Sequence, residues 1–270
     1  MSWRSVARKD VHDASRSRTL WVLFGLLSVL FVGYAAAYTY VGDETFTGFV
    51  AGVVGLVSGL LPILGIVLGY RSIADDRADG SILLSLSFPQ SRRELLAGTT
   101  LGRVVVLLAP TLLGLSVAGL YAALRYGTDG ALAYPWFLLA TALYGASFVA
   151  VAVALSASTT VDRRITYGAV GGYLLLVVLW RSLVSFAVAF LHRFNPGVGT
   201  PDWALLLQLA EPGEAYARLL RAGFDIGRAS QYVGEEAPAF VDWWAALIVL
   251  GLWIAVPLAV GYRRFEAEDL

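Results

Sequence analysis

The sequence predicts an all-α membrane protein with six transmembrane helices. It also predicts an N-terminal amphipathic interfacial helix and re-entrant outer segments before the last helix. Three observations carry this. Hydrophobic residues fill 58% of the 270 positions, charged residues only 15%, and the mean hydropathy is +0.69; soluble domains carry about a quarter charged residues. Uncharged runs cover 19–42, 45–70, 104–124, 130–161 and 243–262, each matching or exceeding the roughly 20 residues that cross a bilayer. None of these runs shows the polar stripe of a soluble surface helix, and backbone crossing lipid must satisfy its own hydrogen bonds.

The elements follow in order. Residues 1–18 form a basic arm in which Trp3, Val6, Ala7, Val11 and Ala14 recur at helical spacing, with Arg4, Arg8, Lys9, His12 and Arg16 elsewhere on the wheel. Such a helix lies in the membrane interface plane. The run after it ends near "AAA" at 35–37, but it is far longer than the roughly 7–15 apolar residues of a signal peptide, so it is read as an anchor. The second span is 45–70. A charged segment, 71–103, separates it from the third, and the short loop "RYGTDGALA" separates the third from the fourth. The fifth run, 165–180, is shorter, and Arg181 interrupts it before an apolar stretch that reaches Leu191.

The segment 181–242 is read as an outer loop with short helices. Its pieces "SLVSFAVAFL" and "WALLLQLAEPGEAYARLLRAGF" are too short to span, and "NPGVGTP" and "EPG" punctuate them. Such pieces read as re-entrant or interfacial helices. No internal repeat is visible, and 1–270 reads as a single polytopic domain.

Basic residues set the expected orientation. Arg4, Arg8, Lys9, Arg16 and Arg18 lie in the arm, and Arg71, Arg77, Arg92, Arg93 and Arg103 in the charged segment. Arg163, Arg164, Arg263 and Arg264 fall on the same side. The other side holds only Arg125, Arg193, Arg218, Arg221 and Arg228. The positive-inside rule therefore puts both termini and 71–103 in the cytoplasm, in a multi-pass protein of the plasma membrane. Tyr38, Tyr40, Tyr134, Trp136, Trp243 and Trp244 fall at the expected outer ends, as an aromatic belt would.

Composition argues against several chemistries. Lys9 is the only lysine and no G-x-x-x-x-G-K-[ST] occurs, so ATP binding by a P-loop is excluded. His12 and His192, the only histidines, fall on opposite sides and outside any zinc-protease motif. Ser156 and Ser158 have no histidine partner and read as helix-packing residues. The spanning runs hold no central charge, unlike ion-coupled pumps. The chain has no cysteine and a single methionine, which disfavours a soft-metal path. No catalytic residue, cofactor or metal is expected, and energy must come from a partner.

The segment between the second and third spans carries a resemblance. Asp76-Arg77-Ala78-Asp79-Gly80-Ser81-Ile82, Ser85-Leu86-Ser87-Phe88-Pro89-Gln90-Ser91-Arg92 and Gly98-Thr99-Thr100-Leu101-Gly102-Arg103 resemble the pattern E-R-x-x-G-T-L … L-L-S-x-P-x-S-R … G-K-x-L-G-R of the ABC-2 type permeases. These are membrane subunits of ATP-binding cassette transporters. Asp76 stands for Glu, Ser81 for Thr and Thr99 for Lys, the last swap removing a charge. The N-terminal arm and "EPGEAYARLLRAG" are similar to the family's corresponding segments, and the outer segments resemble the permease of the nitrous oxide reductase maturation system.

The resemblance implies a permease, an exporter by family habit, that works as a dimer with a second copy or paralogue and with separate ATP-binding cassette ATPase subunits. It implies no catalysis by the chain itself, contact with membrane lipid and no nucleic-acid partner. It also implies that 71–103 forms a coupling helix seated on the ATPase, with Asp76, Arg77, Gly80, Ser81, Pro89 and Arg92 in the coupling segment. Arg77 and Arg92 suit bidentate pairing with acidic partner residues, and Gly80 suits a tight turn. The alternative is a non-transporting scaffold or mechanotransmitter that links an ATPase to an extracytoplasmic partner. A membrane enzyme is the third reading, and the absent motifs leave it least support.

Overall fold

The computed structural model describes residues 3–40, 42, 44–74, 91–159, 161–195, 200–224, 238 and 240–267. Its helices are α1 (Trp3–Arg16), α2 (Arg18–Ala37), α3 (Phe46–Gly69), α4 (Arg92–Tyr126) and α5 (Tyr134–Ser158). These are followed by α6 (Asp162–Tyr173), a π-helical turn (Leu174–Leu179), α7 (Trp180–Leu191), α8 (Asp202–Leu209), α9 (Pro212–Arg221) and α10 (Trp243–Ala267). Among the described residues six stretches are long and apolar enough to cross a membrane, the fifth being the composite Arg163–Leu191. The chain is a multi-pass membrane protein.

The fifth span differs from its sequence reading. Arg181 does not end it: helix continues from Asp162 to Leu191 through the π-turn. "SLVSFAVAFL" is thus the second half of a spanning helix, not a short outer piece, and the outer segment begins after Leu191. The backbone ladder tolerates a charged side chain that lies on the helix surface, and arginine has good helix propensity.

The most enclosed span is α5, which packs against α10, α3 and α4. In its most apolar window 61% of residues are buried, against 6% in the fifth span, which lies at the periphery. Two apolar clusters mark the two ends of the bundle. One joins Phe31, Phe46, Phe49, Tyr144 and Tyr216 with the outer segment. The other gathers Ile73, Leu95, Leu107, Val153 and Phe265 around the end that carries both termini.

Two expected belt aromatics turn out to be core. Tyr38 and Tyr134 are buried, whereas Tyr40, Trp243 and Trp244 are exposed. The Tyr134 hydroxyl donates to the Leu115 carbonyl at 2.6 Å, and the Tyr38 ring packs edge-on to Tyr126 at 5.5 Å. A tyrosine whose hydroxyl finds a carbonyl can leave the interface for the core.

At 35 residues, α4 is about 52 Å long at 1.5 Å per residue, well beyond a hydrocarbon layer of about 30 Å. Its first turns therefore project past the bundle, and α1 lies along them. A methyl group on Gly98 would meet the Trp3 carbonyl at 2.8 Å, and one on Gly102 would meet Asp10 Cγ at 2.9 Å. Gly98 lets the arm backbone approach α4 closely, and Gly102 leaves room for the Asp10 side chain, which reaches Arg103 at 3.2 Å.

Candidate functional site

Two regions bring polar groups together, one at each end of the bundle. The first is the face that holds both termini and the ends of segment 71–103. Asp76, Arg77, Gly80, Ser81 and Pro89 lie outside the described residues, so only Arg92 among the expected coupling residues is placed. It opens α4 immediately after Ser91, whose side chain accepts from the Glu94 amide at 3.2 Å while Glu94 accepts from the Ser91 amide at 3.1 Å. This reciprocal capping box fixes where the helix starts.

Arg92 is engaged within the chain. Its guanidinium donates to the carbonyls of Phe265 at 2.5 Å and Glu266 at 3.0 Å and lies 5.5 Å from the Phe265 ring. It satisfies carbonyls at the end of α10 that have no helical partner. At the other end of the segment, Ser156 Oγ of α5 accepts from the Ile73 and Ala74 amides, both at 3.0 Å. Both ends of the charged segment are therefore tied to the bundle, one to α5 and one to α10.

Ser156 had read as a packing residue; a buried serine whose oxygen takes two loop amides leaves no sequence signature. Ser158 donates to the Ala154 carbonyl at 2.6 Å, the local bond common to hydroxyls in membrane helices.

The second region is built by the outer segment. Three tryptophans from three spans hold its short helices. Trp180 Nε1 donates to the Leu207 carbonyl at 2.8 Å, Trp253 Nε1 to Ala210 at 2.7 Å, and Trp136 Nε1 to Leu219 at 2.6 Å. These carbonyls sit at the C-terminal turns of α8 and α9, where helical donors run out; that of Leu219 also takes the Ala222 amide at 3.2 Å. Along α5, contacts to α9 run from Trp136 through Thr141, bonded to the Tyr216 hydroxyl at 3.0 Å, to Tyr144. The Tyr144 ring stacks on Tyr216 at 4.6 Å. Eight residues of α5 is about 12 Å, so α9 enters the bundle to that depth.

Pro212 opens α9, and Glu211 caps it: its carboxylate accepts from the Gly213 amide at 2.6 Å and the Glu214 amide at 2.7 Å. A carboxylate is the favoured N-terminal cap, and proline fits the first helical position. Glu211 and Glu214 are both buried, at 7% and 5% exposure. Burial pushes Glu211 up to about 7 against the pull of its two amide bonds. Burial, then the neighbouring Glu211 charge, pushes Glu214 up to about 8, with Arg181 opposing. Both glutamates line a cavity of about 380 Å³ with Ser58, Tyr144, Arg181 and Ser182. The uncharged spans had suggested no ionisable group inside the bundle. The two glutamates enter it on the outer segment, and the only trace in the sequence was acidic residues flanking the Pro-Gly of "EPGE".

Comparison with known proteins decides the family. The model of the ABC-2 family transporter protein matches residues 4–270. The chain belongs to the ABC-2 transporter family. It is 30% identical, over 98% of both chains, to a protein named as a probable ABC transporter permease protein NosY of Pseudomonas aeruginosa. It is also 30% identical, over 97% of both chains, to one of the same name from Stutzerimonas stutzeri. The charged face and the capped outer segment are thus features of an ABC-2 permease, a membrane subunit of an ABC transporter.

Proposed function

We propose that this ABC-2 permease is an exporter subunit that couples ATP hydrolysis in a separate ATP-binding cassette ATPase to movement of a substrate through the membrane. The observation that carries the reading is the pair of ties at the ends of segment 71–103. A force applied between Ala74 and Ser91 passes through Ser156 to α5 and through Arg92 to α10. Those are two helices that pack against each other. Displacement of a loop thereby becomes a rigid-body shift of spans.

In this reading the face with the termini is cytoplasmic, as the arginine distribution requires. Asp76, Arg77, Gly80, Ser81, Pro89 and Arg92 belong to the coupling segment. Arg92 positions that segment against α10, which leaves Arg77 as the cation for an acidic cleft on the ATPase. A second permease copy or paralogue completes the translocation unit. The fifth span, with Leu183, Phe186 and Phe190 exposed, offers an apolar face for that copy or for lipid. The chain performs no hydrolysis itself.

Copurification tests the reading. Tagged wild type, extracted from native membranes in mild detergent, should bring down an ATPase of the cassette type, and Arg77→Glu should lose it while melting like wild type. Wild type that brings down no ATPase removes the energy source and ends the exporter reading.

A further inference from the structure

The outer cavity has a chemistry that the family membership does not assign. Apart from the Arg181 guanidinium, its polar side chains are carboxylates and hydroxyls, all of which can accept. Glu211 spends both carboxylate oxygens on the α9 amides. Glu214 is 5% exposed, and its Oε2 has no hydrogen-bond partner. A buried carboxylate oxygen without a donor is costly and needs an explanation. Across the cavity stands Ser58, whose hydroxyl donates to the Val54 carbonyl at 2.7 Å and so keeps its oxygen lone pairs for another donor. Ser182 and Tyr144 complete the polar wall, and Val54, Leu176 and Val178 the apolar one. Leu176 and Val178 come from the π-turn, a distortion frequently found at functional sites.

We propose that this cavity binds a primary ammonium group, with the Glu214 carboxylate as its counter-charge and the oxygens of Ser58, Ser182 and Tyr144 as acceptors for its remaining N–H bonds. An ammonium carries three donors, enough for the Glu214 carboxylate and two of the three hydroxyl oxygens. A divalent metal is poorly served: calcium takes six to eight oxygens, mostly carboxylates and carbonyls, and Glu211 is already committed to its helix. An anion would meet the two carboxylates. The volume also exceeds that of a bare ion and leaves room for a carbon skeleton against the valine and leucine wall. With Arg181 and both glutamates ionised the cavity carries one net negative charge, which a monovalent cation neutralises. As the substrate site of the permease the cavity rests on the exporter reading; as an ammonium site it does not.

The charged and hydroxyl-bearing groups around Glu214 are Glu211 on the same helix, Arg181 on α7 and Tyr144 on α5, with Tyr216 stacked on Tyr144, and the Arg218–Asp242 ion pair, 2.8 Å, ties α9 to the start of α10. Glu214 must be ionised to bind a cation, so binding below about pH 8 releases a proton and tightens as pH rises toward that value.

Ethanolamine, free or as the phosphatidylethanolamine head group, is the probe. The full chain is placed in nanodiscs of phosphatidylcholine and phosphatidylglycerol, and binding of free ethanolamine is followed by calorimetry in buffers of different ionisation heat. In parallel, lipids retained by protein extracted from phosphatidylethanolamine-containing membranes are identified by mass spectrometry. We expect saturable binding with proton release, or selective retention of the lipid. Glu214→Gln should weaken either about tenfold or more in protein that still folds. Binding of the free amine identifies a soluble ligand; retention of the lipid alone identifies the head group. No interaction in either arm, or equal binding by folded Glu214→Gln, overturns the proposal. Should Glu214→Gln fail to fold, Ser58→Ala and the proton release of wild type decide: unchanged affinity together with no proton release overturns it. An ATPase that copurifies beside an empty cavity removes only this site, whereas ammonium binding without an ATPase removes the exporter reading and leaves the site.

Discussion

Asp10 Oδ1 lies 3.2 Å from the Arg103 guanidinium, joining the middle of the N-terminal arm to the point where α4 enters the bundle. Both side chains are largely shielded, at 18% and 29% exposure, and Gly102 leaves the room that brings them together. The arm is thereby held against the helix that follows segment 71–103.

Breaking this pair should release the arm. Arg103→Ala leaves Asp10 without this cation in a shielded position, at a cost of about 1 kcal/mol. Hydrogen exchange over Trp3–Arg16 should accelerate while exchange in α5 stays at the wild-type rate. Unchanged protection of the arm would show that apolar packing of Trp3 and Val6 alone holds it.

Ser156 is the acceptor for two buried amides. Ser156→Ala removes that acceptor and strands both donors, which costs about 1–3 kcal/mol. The variant should melt earlier in detergent and, through loss of the tie to Ala74, give a weaker ATPase response in the assembled transporter. A variant as stable as wild type would mean that the Ile73 and Ala74 amides find other acceptors.

The cap of α9 is sterically exacting. A methyl group on Gly213 would meet the Glu211 carboxylate oxygens at 2.9 and 3.0 Å, so Gly213→Ala must either push the cap away or shift the helix start. Loss of an N-terminal cap costs about 1 kcal/mol. The accompanying change should be visible in the fluorescence of Trp136, which bonds the Leu219 carbonyl of α9.

Stability should depend on pH through the buried glutamates. Their folded-state values, about 7 for Glu211 and about 8 for Glu214, lie above the ordinary 4.5. The folded protein therefore holds protons that the unfolded chain releases. This contribution is complete below about 4.5, is lost as pH rises through about 7 and 8, and is flat above. The midpoint of thermal unfolding should fall across that window in wild type, and Glu214→Gln should flatten the upper part of the fall. A midpoint that rises across the same window would contradict the burial of these groups.

Much of this was legible in the sequence, for identifiable reasons. Charge-free runs of 20 or more residues leave little choice but a spanning helix, and spacing in the arm pointed to the helix now seen over Trp3–Arg16. Segment 71–103 stood out because dense charge between two oily runs has no use inside lipid. What stayed hidden depended on distant partners. Arg181 looked like a helix terminus because hydropathy averages over composition, whereas the backbone carries helix through it and relaxes at the π-turn instead. Tyr38 and Tyr134 looked like interfacial aromatics because the Leu115 carbonyl and the Tyr126 ring that receive them are far away in sequence. The burial of Glu211 and Glu214 was hidden for the same reason: "EPGE" reads as a surface turn until Trp136, Trp180 and Trp253 are seen anchoring the helices around it.

The most direct test of the central claim uses the absence of cysteine from the sequence. A single Ser85→Cys substitution places one thiol in the proposed coupling segment, and Tyr40→Cys places one at the opposite face, where Tyr40 is exposed. Each variant is treated in native membranes with a short amine-to-thiol crosslinker and probed for an adduct with a cassette ATPase. The account predicts an ATPase adduct from position 85, enhanced or lost on ATP addition, and none from position 40. Adducts from position 40 alone, or from neither position, would contradict it.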